Sequence, residues 1–464
     1  MKNESYKNAY LFMYFGNNQD VVNLIKGDYY SVGIDSKYTD IDFDLYVAAR
    51  KEINIEDDHV LDFNSVDSVL YIYAEYIEQL TRWNISNNNF PDPLNLYEEF
   101  LNSLNYWYSF LKYFDINKIF IYENPHRAFD LLIYTLAKYL KIKVYIFSEL
   151  NTGYRTYIKE NIFDSLSDVK GDFLASNKNN TTSLKYNHIT SQFTPSEGKV
   201  NGWVRKFSKF FKLFTYIDAH IYKNKEAFRK VTYFTYHAWL INSYITTAKY
   251  RFYYKRAIKF PVILDEDIVF YLHYQPEKTS NPDAGSARSQ LQCIKVLKKA
   301  FPEKNIYIKE HPSQLNFKNT HRNRQIRNHS FVVQIESISD GFIDKIPSNT
   351  KFIGATLHGT IGIELALEGR TVLCFGNPWY GFLKNVHVVR GCKDLSKISL
   401  QQYDPQEIKQ NMSKILYLKS AKGSISNKLE MMDPSIVVPD NGDELMEYVK
   451  WYFNISKSSS DSNI

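Results

Sequence analysis

The order of strand-like and helix-like segments constrains this fold most, because it occurs twice along the chain. In residues 1–165, short apolar runs typical of buried strands alternate with segments of helical apolar spacing. A second alternating block begins near residue 261. Strand, helix, strand at this spacing is typical of parallel pairing. The sequence therefore predicts an α/β protein with two domains, each built on a largely parallel sheet.

The predicted elements follow from apolar periodicity and from flanking turn residues. The predicted strands are 9–16, 28–34, 60–63, 118–123 and 143–149 in the first block, and 265–274, 305–310, 331–337, 350–356 and 370–376 in the second. The predicted helices are 66–82, 94–113, 127–140, 286–301, 360–369, 401–418 and 443–453.

Composition marks further boundaries between and after the two blocks. The predicted units are a first domain at 1–165, a linker loop at 166–200, a basic aromatic-rich helical segment at 201–260, a second domain at 261–400, closing helices at 401–455 and a disordered tail at 456–464. The linker contains a polar run that is poor in aliphatic residues, as expected between domains.

Composition also excludes several classes of protein. Of 464 residues, 44% are hydrophobic and 16% are aromatic, so the chain is neither disordered nor fibrous. Three cysteines without metal-ligand spacing predict neither a disulfide framework nor a structural zinc site, and suit a reducing cytoplasm. We expect no secretory signal and no transmembrane helix, since the apolar runs are too short.

The basic segment 201–260 carries 13 Lys and Arg against two acidic residues, although the whole chain has a net charge of only +6. Its uncharged stretch, 231–248, holds too many polar groups for a hydrocarbon core but is rich in interfacial aromatics. Two interpretations remain open, a pair of packed helices with a solvated basic face and a peripheral contact with anionic membrane lipid. No RNA-binding motif accompanies the aromatics, so we expect no nucleic-acid partner.

Polar residues follow several predicted strands of the second block. Gln275 and Glu277 lie just after one strand, while Lys309 ends the next and His311-Pro312 follows it. In an open parallel sheet, ligands bind outside the carboxyl ends of the strands. A cation and an imidazole there can meet a phosphate, and the proline preforms the turn. The alternative is an ordinary surface turn.

The run LHGTIGIEL (357–365) begins a predicted helix just after a strand. The helix N-terminus at Gly359 and the Thr360 hydroxyl make an anion site, and Glu364, about one turn on, can accept hydrogen bonds from ribose hydroxyls. The spacing matches neither a dinucleotide-binding fingerprint nor an NTPase P-loop. The alternative is a glycine chosen for tight packing.

The first block has a comparable cluster after its strand 118–123. Glu123 and His126, with Asn124 and Arg127 beside them, precede a predicted helix. They either cap that helix or face the second block across a cleft.

These residues resemble the capsule polysaccharide biosynthesis family, which includes the bacterial β-Kdo (keto-deoxy-octulosonic acid) transferases. The matching pieces are Gln275-Pro276, His311-Pro312 within IKEHP, and GTIGIEL followed by GRTVLCFG. The resemblance covers residues 265–400 well and the first block weakly. The His-Pro pair is also similar to that of bacterial sialyl- and polysialyltransferases, which use CMP-sugars.

The resemblance implies a GT-B fold, in which two Rossmann-like domains face a cleft, with the donor nucleotide on the C-terminal domain and the acceptor on the other. It implies that His311 contacts a CMP phosphate and that Thr360 and Glu364 hold phosphate and ribose. The basic insert 201–260 departs from the family pattern.

The function predicted on this basis is a cytoplasmic glycosyltransferase of surface polysaccharide synthesis, with a glycan or glycolipid acceptor. Without a visible metal-ligand cluster, we expect Lys309, His311 and helix N–H groups to stabilise the leaving phosphate, and no resident cofactor. Glu277 is the candidate nucleophile or oxocarbenium stabiliser, and Glu123 and His126 are candidates for acid–base catalysis. The alternatives are a non-catalytic, membrane-associated assembly protein and a nucleotide-sugar epimerase.

Overall fold

A computed structural model describes most of both predicted blocks. It covers residues 8–16, 18–36, 38–49, 51–55, 59–86, 96–150, 155–173, 262–273, 278, 280, 282–309, 311, 332–335, 350–398, 401–425 and 443–455. The basic segment 201–260 and the tail 456–464 lie outside these residues, as do Gln275, Glu277 and Pro312.

The first sheet has seven strands among the described residues. They are β1 (Ala9–Gly16), β2 (Ser31–Ser36), β3 (Ile41–Phe43), β4 (Ile116–Tyr122), β5 (Lys143–Leu150), β6 (Arg155–Lys159) and β13 (Ala421–Lys422), in the order β13-β6-β5-β4-β1-β2-β3. Strands β1 to β5 pair in parallel, whereas β6 and β13 pair antiparallel. The parallel part thus has the order 3-2-1-4-5 of a Rossmann-like sheet.

Helices cover both faces of the first sheet. They are α1 (Gln19–Lys26), α2 (Leu45–Ala49), α3 (Phe63–Val69), α4 (Tyr73–Ser86), α5 (Leu96–Tyr113) and α6 (Ala128–Tyr139). Alternate residues of β1 belong to two cores: Leu11 packs with α5 and α6, and Phe12 packs with α1. This follows from the two-residue period of a strand buried on both sides.

The predicted strand at 60–63 is wrong, because the chain enters helix α3 there. The Asp62 carboxylate caps this helix by accepting a hydrogen bond from the Ser65 N–H at 2.7 Å. Phe63, which suggested a buried strand, is 86% exposed. A short apolar run does not by itself distinguish a strand from the start of a helix.

The second sheet has six parallel strands among the described residues. They are β7 (Ile268–Tyr271), β8 (Ile306–Lys309), β9 (Val332–Ile335), β10 (Ile353–Thr356), β11 (Val372–Cys374) and β12 (Val386–Val388), in the order β9-β8-β7-β10-β11-β12. This is the strand order 3-2-1-4-5-6 of a Rossmann sheet. Its helices are α7 (Gln290–Ala300), α8 (Thr360–Leu367) and α9 (Cys392–Leu395). The prediction of two Rossmann-like domains is confirmed.

The closing helices divide between the two domains. Helix α10 (Pro405–Lys419) packs on the second through Ile408 and Leu416, whereas α11 (Asp443–Phe453) packs on the first through Leu445 and Tyr448. Arg155 fixes the crossing by donating to the Ser420 hydroxyl at 2.8 Å. The chain therefore returns to its first domain after completing the second. In the described part of the chain, no helix has the length and hydropathy of a membrane span.

Candidate functional site

Each sheet reverses its strand order at one point, between β1 and β4 in the first and between β7 and β10 in the second. Ligands of open α/β sheets bind at such switch points. Residues from the two points meet: Lys278 Nζ donates to Glu123 Oε2 at 3.0 Å, and Asn124 Nδ2 donates to Asp283 Oδ1 at 2.8 Å. The candidate site is therefore the space where the two switch points face each other.

An imidazole joins the strand ends of the second switch point. The His273 N–H donates to Gln290 Oε1 at 2.7 Å, and Gln290 Nε2 donates back to the His273 carbonyl at 3.0 Å. This exchange fixes the backbone just after β7. The ring Nε2 lies 3.1 Å from Thr356 Oγ1 and accepts from the His358 N–H at 3.3 Å. Because Nε2 accepts, the ring proton of a neutral His273 is on Nδ1.

Gly359 begins helix α8 beside this imidazole. It is the N-cap residue, and no side chain caps the helix. A Cβ at this position would lie 3.0 Å from His273 Cε1, so a larger residue would require a shift of a few tenths of an ångström. The buried Tyr380 hydroxyl donates to the Gly359 carbonyl at 2.5 Å and holds the turn. The first N–H groups of α8, from Thr360 onward, can bind an anion.

His358 contributes a partly exposed ring to the same point. Its Nδ1 atom is buried and has no hydrogen-bond partner among the described residues. Burial lowers the pKa of His358 to about 4, against the opposing effect of the Asp283 carboxylate. The ring is therefore neutral at pH 7, and the second switch point offers uncharged hydrogen-bonding groups.

The first switch point is built from charged and strained residues. Tyr14 and Glu123, at the ends of β1 and β4, have φ values of 67° and 64°, in the left-handed region. The Arg127 guanidinium lies 4.4 Å from the centre of the Tyr14 ring, and its Nη1 lies 3.7 Å from a fully buried Asp130 carboxylate. The cation is therefore held by a ring and a carboxylate.

His126 lies between these charges and the second domain. Its Nδ1 is 3.0 Å from the Asn124 carbonyl oxygen. Burial lowers the pKa of His126 to about 4, although Asp130 acts in the opposite direction. This histidine is also neutral at pH 7.

A buried polar network connects the two domains beside His126. Asn124 Nδ2 donates to the Ile162 carbonyl at 3.3 Å as well as to Asp283, and Lys159 Nζ donates to the same carbonyl at 3.0 Å. Lys159 is only 5% exposed. Burial lowers the pKa of its ammonium to about 8, while Asp283 acts to raise it. Groups with perturbed pKa values in a cleft are typical of functional sites.

The other predicted residues lie at neighbouring positions of the second sheet. Lys309 ends β8, with its Nζ 5.7 Å from the centre of the Tyr271 ring. His311 follows two residues later and is partly exposed. Strand β7 separates β8 from β10, so the ends of these strands are about 10 Å apart. Glu364 lies on α8; burial raises the pKa of Tyr271, and the charges of Glu368 and Glu364 act more weakly in the same direction.

Asp283, Lys159 and His358 were not among the predicted site residues. Asp283 lies in the polar loop after β7, which was a usable signal. Lys159 lies in β6, a strand the sequence did not predict, and a lysine is ordinarily a surface residue. In the part of the chain that the structure describes, no three His, Cys, Asp or Glu side chains are grouped to hold a metal ion.

Comparison with known proteins finds likeness in fold at very low sequence identity. The KpsC β-Kdo 2,7 transferase of Thermosulfurimonas dismutans is 11% identical, with a TM-score of 0.32 over 81% of this chain and 97% of that one. The KpsC β-Kdo 2,4 transferase of the same organism is 10% identical, with a TM-score of 0.33 over 73% and 87%. The UDP-GlcNAc 2-epimerase of Methanocaldococcus jannaschii is 10% identical, with a TM-score of 0.26 over 88% and 99%. No protein-family model and no curated protein matches the sequence.

Proposed function

We propose that this protein is a glycosyltransferase that binds a nucleotide-sugar between its two domains and transfers the sugar to a glycan or glycolipid. The observation that carries the proposal is the meeting of two Rossmann switch points across a buried polar network. A ligand held there contacts both domains and is shielded from water, as group transfer requires. The sequence resemblance supports a CMP-activated 2-keto sugar, such as Kdo, as the donor.

The phosphate of the donor would bind at the start of helix α8. Gly359 permits close approach, and the uncapped N–H groups that follow it are oriented for an anion. His358, which is neutral at pH 7, adds a hydrogen-bonding group without adding charge. Lys309 and His311, at the end of β8, would supply the positive charge that stabilises the departing phosphate.

The acceptor would approach from the first switch point. Glu123 is the general base that we propose, because its carboxylate already reaches the second domain through Lys278. His126 has a pKa of about 4, which makes it a weak base at pH 7, so we assign it to orienting the acceptor hydroxyl. Glu277 remains our proposed nucleophile or stabiliser if the reaction retains configuration, by analogy with glycosidase chemistry.

A donor panel tests this function directly. Purified protein is incubated with CMP-Kdo, CMP-sialic acid and UDP-sugars, with nucleotide binding and nucleotide release both measured. We expect binding and release for a CMP-sugar. No binding and no release across the panel contradicts the proposal, and conversion of a UDP-sugar without an acceptor identifies an epimerase instead.

The variant His311→Ala tests the phosphate contact. We expect nucleotide affinity to fall about tenfold, the value of one charge-assisted hydrogen bond, with an unchanged thermal unfolding midpoint. Unchanged affinity removes His311 from the site.

Peripheral attachment through the basic segment 201–260 is also a proposal. It is tested by co-sedimentation with anionic and zwitterionic liposomes, where binding to the anionic vesicles only, reversed by salt, is expected. Lipid binding without turnover favours a non-catalytic assembly protein.

A further inference from the structure

Two buried polar atoms near Asp283, one on each domain, have no hydrogen-bond partner among the described residues. They are Asn124 Oδ1, just after β4, and His358 Nδ1, just after β10. The amide orientation of Asn124 is fixed because its Nδ2 donates to two acceptors, the Ile162 carbonyl and the Asp283 carboxylate. The unpartnered atom is therefore the oxygen, and Asn124 is only 8% exposed. Such atoms are costly unless a ligand or water satisfies them.

The charges around these two atoms cancel. Lys278 pairs with Glu123 at 3.0 Å, and the buried Lys159 acts electrostatically on Asp283. A phosphate or carboxylate placed here would add an uncompensated charge, which is expensive in a buried setting. A hydroxyl adds no charge, and it can donate to Asn124 Oδ1 while also bonding an imidazole nitrogen. These two atoms therefore fit a hydroxyl group of the ligand and not one of its charged groups.

We propose that Asn124 and His358 form a subsite that recognises hydroxyl groups of the transferred sugar, one residue from each domain. The proposal rests on the proposed function, because it takes the phosphate to lie at Gly359. It assigns the nucleotide and the sugar to different residues. Since each domain supplies one hydrogen bond, the sugar would be held only when both domains contact it.

Two variants and two matched controls test the subsite. His358→Phe keeps a planar ring but removes Nδ1, and Asn124→Leu keeps a similar side-chain volume but removes Oδ1. The controls are Asn117→Leu, at the opposite end of β4, and His387→Phe, in edge strand β12; each also has a buried polar atom without a partner among the described residues. Calorimetry measures the Kd for CMP, CMP-Kdo, UDP and UDP-GlcNAc, and thermal unfolding checks the fold.

We expect both test variants to weaken binding of a nucleotide-sugar about tenfold while changing the Kd for its free nucleotide less than twofold. The controls should change neither. Equal weakening of nucleotide and nucleotide-sugar would overturn the subsite, since the residues would then contact the nucleotide. Unchanged affinity for both would also overturn it and assign the two atoms to bound water. If wild-type protein binds none of the four compounds, the proposed function fails first and the subsite fails with it.

Discussion

The two switch points share one topology and differ in chemistry. In the first, Arg127 is held between the Tyr14 ring and the buried Asp130, on a backbone strained at Tyr14 and Glu123. In the second, the neutral His358 and a glycine with free helix amides take that place. Under the proposed function, the first would orient the acceptor and the second would bind the phosphate of the donor. Two sheets of the same topology can thus carry different chemical groups at their switch points.

The largest expected effect is that of Gly362→Ala, which should disable the second switch point. The added Cβ would lie 2.1 Å from the hydroxyl of Tyr380, a fully buried ring that holds the Gly359 carbonyl. We expect unfolding free energy to fall by about 3 kcal/mol and nucleotide binding to be lost. Urea unfolding and calorimetry measure this, and adding Tyr380→Phe should restore part of the stability. Wild-type behaviour of the single variant would contradict the described packing.

Two histidines, one from each switch point, should make the stability of the protein depend on pH. His126 and His358 have folded pKa values of about 4, lowered from 6.5, so unfolded chains bind more protons between these values. Above pH 6.5 the two histidines do not lower the free energy of unfolding. As the pH falls from 6.5 towards 4, proton binding to the unfolded chain lowers it progressively. Each substitution to Gln should reduce the pH slope of the unfolding free energy by up to about 1.4 kcal/mol per unit.

Urea titrations between pH 7 and 4.5 measure that slope. His387→Gln, in strand β12 and away from both switch points, is a comparison variant; burial also lowers the pKa of His387, so some loss of slope is expected for it too. A double variant with the wild-type slope would show that the two imidazoles are not kept neutral by burial.

A smaller effect is expected for Gly359→Ala. Its Cβ would lie 3.0 Å from His273 Cε1, so the start of α8 must shift by a few tenths of an ångström. We expect nucleotide affinity to fall about tenfold with little change in stability. Gly391→Ala is the control, since a Cβ there would have no atom within 4 Å. Equal affinities for the two variants would place the anion elsewhere.

The smallest effect should come from the ion pair between Lys278 and Glu123. Both side chains are about one-quarter exposed, so water and salt screen the pair. A double-mutant cycle with Lys278→Met and Glu123→Gln should give a coupling of about 0.5 kcal/mol that falls at high salt. A coupling of several kcal/mol would show instead that this contact governs how the domains associate.

Sequence periodicity was sufficient for the long elements. Helix α11 is predicted at 443–453 and found there, and β1 is found at 9–16 as predicted, because each has a clear apolar pattern over several residues. Strand β13 has only two residues and exists through pairing with β6, more than 250 positions earlier. No local pattern predicts such a strand.

The site was predictable to the same degree. The strand-end clusters at Glu123 and Gly359 were visible, since turn residues and glycines mark them. The hydrogen bond from Asn124 to Asp283 joins residues 159 positions apart, and the burial of Lys159 depends on both domains. Such contacts arise from tertiary packing, which apolar periodicity does not encode.

The return of residues 421–425 and 443–455 to the first domain has a consequence for synthesis on the ribosome. Leu445, Tyr448 and Val449 of α11 complete a core that also contains Phe12 and Phe147. The Tyr448 hydroxyl also donates to the Lys419 carbonyl at 3.2 Å. This core is incomplete until α11 has been translated. Until then the emerging first domain exposes an aromatic face and leaves Arg155 without its Ser420 and Glu444 partners. We therefore expect nascent chains to need a chaperone, or translation through α11, before their first strands become resistant to protease.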